Sequence, residues 1–158
     1  MSIQRNMPRA IFKTASLAFI ATAIVLTSGC ATPTGAVFTT AETPPDDQAQ
    51  VYLYRKSAVG ASLQSFSVQL DRQAKGELSN ASFMRLTMPP GEHVLSVSPS
   101  ALSKTYDIKL TLAARQTQYV EFELPPILLF NTFLLGSSIT PRTAEQALAD
   151  LPGLKSMK

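Results

Sequence analysis

Tyr106-Asp107-Ile108-Lys109-Leu110-Thr111-Leu112 alternates apolar and polar residues without a break. Successive strand side chains point to opposite faces, so this run predicts a half-buried strand. The pattern recurs on both sides of it. Phe66, Val68 and Leu70 alternate with Ser67 and Gln69, and Met84, Leu86 and Met88 with Arg85 and Thr87. Val120, Phe122 and Leu124 alternate with Glu121 and Glu123. Val51-Tyr52-Leu53-Tyr54 and Val94-Leu95-Ser96-Val97 add β-branched and aromatic runs. Strands with one polar face belong in antiparallel sheets, and short strands separated by turn signals predict a sandwich.

The turns agree. Pro90 presets φ and Gly91 accepts positive φ, so Pro89-Pro90-Gly91-Glu92 reads as a type II turn. Residues 71–76 read as a hairpin loop, followed by the strand Gly76-Glu77-Leu78. Ala113-Ala114-Arg115-Gln116 separates the last two long strands without a glycine. At the C-terminal side, Thr140 is a candidate cap and Pro141 suits a first helical position. Ala144, Ala147, Leu148 and Leu151 then share a face, and Pro152-Gly153 stops the helix. The expectation is mainly β: a small antiparallel β-sandwich over residues 49–139, one short helix over 140–151, and a tail over 152–158.

The N-terminal side is of another kind. Arg5, Arg9 and Lys13 precede an uncharged apolar run from Ala15 to Leu26. This is the pattern of a secretory signal, and the run is shorter than the ~20 residues of a membrane-spanning helix. Leu26-Thr27-Ser28-Gly29-Cys30 resembles the lipobox of lipoprotein precursors, with Thr27 where Leu is usual. Residues 1–29 are therefore expected to be a cleaved lipoprotein signal peptide. Cys30, the chain's one cysteine, is the expected site of acylation, palmitate included. Each buried methylene contributes about 0.8 kcal/mol, so two or three chains hold where one would not. Ala31 lacks the acidic character of an inner-membrane retention signal, which points to the periplasmic side of a cell outer membrane.

This reading accounts for the charge. The formal net charge is +3, and three of the 14 basic residues precede Gly29. The remainder of the chain is balanced, so no clustered basic surface argues for nucleic acid. An acylated Cys30 also leaves no thiol for a disulfide. Residues 31–48 are rich in Thr, Pro, Ala and Asp without periodicity. Together with Cys30 they are expected to form a flexible tether spanning on the order of 25 Å. Docking of Val37 and Phe38 as a short strand is the lesser alternative.

Several segments in order carry a family resemblance: Val51-Tyr52-Leu53-Tyr54-Arg55, Leu70-Asp71, Lys75-Gly76-Glu77-Leu78, Asn80-Ala81-Ser82-Phe83, Pro89-Pro90-Gly91-Glu92-His93 and Tyr119-Val120. Together they resemble an uncharacterised bacterial lipoprotein family. Its domain of unknown function is similar to the PEGA surface-layer domain. Asp71-Arg72-Gln73 departs from the glycine or asparagine usual in that turn. The resemblance implies a small sandwich on the envelope and carries over no catalytic residue.

Chemistry-bearing residues are few. His93 is the one histidine, and Asp46-Asp47, beside Pro44-Pro45, is the one acidic pair. With no second histidine and no spare thiol, a metal site lacks ligands. No Gly-x-Ser-x-Gly elbow or Gly-rich phosphate loop is present. No cofactor or catalytic group is therefore expected. If Val51 and Leu53 face the core, Tyr52 and Tyr54 face outward as a contact surface. Residues 125–136 hold a long apolar run, in which Leu128, Leu129, Phe130, Phe133 and Leu134 either cover the sandwich or meet a partner. The expected role is a lipid-anchored, non-enzymatic binding or scaffolding module with an envelope protein or cell-wall glycan as partner. The alternatives are an envelope enzyme using His93 with a carboxylate, and a lipid-binding or lipid-shuttling module with residues 127–135 lining a groove.

Overall fold

The computed structural model describes residues 33–59, 62–99, 104–124 and 136–157. The expected signal peptide, Cys30 and residues 127–135 lie outside them. The chain is mainly β, with two sheets and a single short helix among the described residues. The strands are β1 (Ala49–Arg55), β2 (Phe66–Leu70), β3 (Gln73–Leu78), β4 (Ser82–Met88) and β5 (Gly91–Ser98). β6 (Tyr106–Leu112), β7 (Thr117–Glu123) and β8 (Ser138–Arg142) come next, then helix α1 (Ala144–Asp150) and β9 (Lys155–Ser156).

The first sheet has the order β8-β7-β1-β4-β9, and the second β3-β2-β5-β6. Apolar residues of the alternating strands meet between them: Leu53, Phe66, Val68, Leu95, Leu110, Val120 and Phe122 are all buried there. Phe66 and Phe122 lie with ring centroids 4.8 Å apart. The sandwich-like arrangement matches the expectation, but the first sheet is mixed. β1 runs parallel to β7, with Leu53 opposite Val120, and β4 runs parallel to β9.

β1 is buried along its whole length. It lies centrally in its sheet and both faces are covered, which explains why Val-Tyr-Leu-Tyr lacks a polar face. Val51 and Leu53 enter the main core, as expected. Tyr52 and Tyr54 face the other side but are not exposed. They belong to a second apolar cluster with Phe38, Phe83, Tyr119, Ala147, Leu151 and Leu154.

Two segments build that cluster, and each corrects an expectation. Residues 33–48 are not a free tether from end to end. They cross the outer face of the first sheet as a strap. Gly35 N–H donates to Ser156 O at 3.1 Å, and Phe38 N–H to Leu154 O at 2.9 Å. Val37 bridges Lys155, and the Phe38 ring stands edge-on to Tyr52 and Phe83. Composition missed this because one buried aromatic and a few ladder bonds dock the strap without any repeat.

The helix also starts later than 140. Thr140 and Pro141 lie in β8, an edge strand where a missing N–H is tolerated. Thr143 is the true cap. Its hydroxyl accepts from Gln146 N–H at 3.2 Å, and the Gln146 side chain accepts from Thr143 N–H at 3.2 Å. This reciprocal capping box outcompetes the Thr-Pro signal. Ala147 and Leu151 are buried, whereas Leu148 is exposed.

The β2–β3 connection is tighter than the expected loop. Asp71 and Arg72 have φ of 52° and 66°, so the hairpin closes on two left-handed residues and β3 begins at Gln73. Gly76, at φ 127°, sits beside the register shift between Val68 and Gln69. The Pro89-Pro90 turn carries the chain from the first sheet to the second, with Gly91 at φ 140°.

Candidate functional site

Asp71 and His93 meet at one end of the second sheet. The hairpin sets Asp71 against β5, where Asp71 N–H donates to Val94 O at 2.9 Å and its carboxylate accepts from Val94 N–H at 2.9 Å. The other carboxylate oxygen lies 2.7 Å from His93 Nδ1. His93 Nε2 lies 2.9 Å from the Pro89 carbonyl oxygen. A carboxylate and a carbonyl both accept, so both ring nitrogens donate and the imidazolium is the form that fits. The Asp71 hydrogen bond holds the His93 pKa above its ordinary value. The same bond, with that from Val94, holds Asp71 below the usual carboxylate range.

The acid expected within reach of His93 in an enzyme is therefore present. In a Ser-His-Asp arrangement, however, Nε2 faces the nucleophile and takes its proton. Here Nε2 faces Pro89, so the ring clasps the β2–β3 hairpin to the β4–β5 turn and has no nitrogen directed at a substrate. A groove of about 420 Å³ runs beside it, lined by Asp71, His93, Lys109 and Thr111 among others. Among the described residues, no group of three or more His, Cys, Asp or Glu is placed to hold a metal ion.

Tyr52 and Tyr54, the expected contact surface, are instead occupied. Tyr52 stacks on Tyr119 with centroids 5.7 Å apart, and its hydroxyl accepts from Glu42 N–H at 2.9 Å. Arg85 pairs with the Glu42 carboxylate and closes the strap from outside. Tyr54 donates to Asp150 at 3.1 Å, beneath the helix. Burial, then the nearby Glu121 charge, push its hydroxyl pKa well up. Leu128, Leu129, Phe130, Phe133 and Leu134 lie outside the described residues.

One charged cluster is not visible in the sequence pattern. Alternation puts Glu121 on the polar face of β7, yet it is 1% exposed. It accepts from Arg142 Nε at 2.7 Å and pairs with Lys56 at 3.0 Å, while Lys56 also lies 3.5 Å from Asp150. The hydrogen bond to Glu121 raises the Lys56 pKa. The cluster joins β1, β7, β8 and α1. Nothing in the alternation of β7 separates Glu121 from the exposed Glu123.

Residues 45–126 match the model of a family described as a protein of unknown function. No curated protein matches the chain at a significant level.

Proposed function

The chain belongs to that family, DUF2846, and we propose that it is a lipid-anchored envelope protein whose sandwich is a binding or scaffolding module. The strap carries this reading. Gly35 is already fixed to the domain at Ser156, and it lies five positions after Cys30 in sequence. Five extended residues span at most about 17 Å. An acylated Cys30 would thus hold the domain against the lipid surface, not on a long leash. With both His93 ring nitrogens engaged, the described residues hold the imidazole in a structural clasp, which suits a module that binds, and the architecture is compatible with a PEGA-like domain. An envelope protein or cell-wall glycan is the partner class proposed.

The test is radiolabelled palmitate in cells, with the parent chain against Cys30→Ser. Label on the parent and its loss from the variant, with release of the variant from membranes, is the expected outcome. Equal label on both would refute the anchor. Crosslinking of the anchored form in cells then tests the binding role; recovery of no specific envelope component would count against it.

A further inference from the structure

A sheet edge offers unpaired N–H and C=O groups to any strand that can lie against it. Folded chains guard such edges with proline, bulges, very short strands or a cover. Four strands end the two sheets: β8 and β9 the first, β3 and β6 the second. Three of them are guarded. β8 holds Pro141, which has no N–H to give. β9 has only two residues, and the strap lies against it through Gly35 and Val37. β3 is interrupted by the register shift between Val68 and Gln69, with Gly76 at φ 127°. β6 has none of these devices. It runs seven residues without proline, glycine or bulge. Its pairing with β5 is unbroken from Tyr106 opposite Val97 to Leu112 opposite Gly91. Among the described residues, no strand pairs with its outer edge.

The side chains of that edge complement themselves. Asp107 and Lys109 are exposed on the outer face, and neither enters an ion pair among the described residues. Ile108, on the inner face, is only half-buried against the core. Two copies of β6 set antiparallel with Ile108 opposite Ile108 place Asp107 of each copy against Lys109 of the other. Directly opposed charges of unlike sign stabilise a strand pair, and like charges destabilise it. A register centred on Asp107 or on Lys109 would oppose like charges, so the charge pattern selects the one centred on Ile108. That register also puts Tyr106 opposite Leu110 and gives Ile108 an apolar neighbour.

We infer that two copies of this chain associate through β6, antiparallel about Ile108, so that their second sheets join into one. The interface is isologous, each copy using the same patch. Main-chain hydrogen bonds supply the attraction, and the Asp107–Lys109 pairs supply the register. The inference goes beyond the proposed anchor and does not depend on it.

The test uses the full chain in cells, made as two differently tagged copies. One carries Thr105→Cys and the other Thr111→Cys. Both positions are exposed, and the register sets 105 of one copy opposite 111 of the other. Mild oxidation should give a dimer carrying both tags, with a 105–111 disulfide identified by mass spectrometry. Either variant alone should give far less. Asp107→Lys added to both copies sets lysine against Lys109 twice and should cut the bridged fraction about tenfold. Asp107→Lys with Lys109→Asp restores the opposition of unlike charges and should restore the bridge, which a merely misfolded variant would not do. No 105–111 bridge in the mixture overturns the inference. So does equal bridging by each variant alone, which would mean random collision or another register. Crosslinks to a different protein in place of a second copy would also overturn it, since the edge then serves another partner.

Discussion

At the residue scale, Asp71 and His93 show how one histidine is used structurally. The folded value of His93 is raised, so its contribution is complete below the ordinary imidazole range and fades as pH rises through the folded value. That of Asp71 is lowered, so its contribution is complete above the ordinary carboxylate range and fades as pH falls through the folded value. The clasp therefore stabilises most between about pH 4 and 6.5. The pair is partly exposed, so its worth is on the order of 0.5 kcal/mol. Asp71→Asn keeps a left-handed-tolerant residue in the turn and removes the charge. Thermal melts at about pH 5.5 and about pH 8.5 should show the parent losing stability on the alkaline side, and the variant losing less. Gly35 is a second decisive residue. A Cβ there would stand 2.5 Å from Ser156 O. Gly35→Ala should lift the strap start from β9, seen as faster amide exchange at residues 35–38 with the main core unchanged.

At the element scale, period-two alternation made most strands legible. Each of those strands has one face in the main core, and a strand with one wet face must alternate. β1 was legible as a strand yet misread as to its outer face. Tyr52 and Tyr54 carry hydroxyls that suit solvent and buried partners equally, and only the strap and α1 decide between them. The helix was half legible. Ala147 and Leu151 do lie on its packed face, but the Thr-Pro pair obscured the capping box three residues on. Glu121 depends on Arg142 and Lys56, which come from segments distant in sequence, so no local pattern could mark it as buried. Removing the cation beside a buried carboxylate is costly. Arg142→Met should destabilise the domain by about 3 kcal/mol in a denaturant titration. A neutral result would mean that Lys56 alone compensates the Glu121 charge.

At the scale of the whole molecule, the strap converts an open sheet face into a second small core. Phe38 supplies the central ring, edge-on to both Tyr52 and Phe83. Truncating a buried Phe costs about 3–5 kcal/mol, and removing the entire strap costs its hydrogen bonds as well. A chain beginning at Glu42 or later should melt well below one beginning at Pro33 and should bind an apolar dye at the uncovered tyrosines. Equal melting points would mean that the aromatic face is stable in water without its cover. Among the described residues, no helix is long and apolar enough to cross a membrane. Of the functional surfaces read from sequence, the tyrosines are spent on packing.

The pairing of the strap with β9 has a consequence for the order of assembly. Residues 35–38 find their partners at 154–156, and β1 finds its parallel neighbour at 117–121. A growing chain that has emitted its first hundred residues therefore has neither contact available. The domain cannot close strand by strand from its N-terminal side. Such non-local topology folds slowly, because the first sheet is complete only once its later strands are present. For the exported protein proposed above, which would pass a narrow translocation channel before folding, that delay is an advantage.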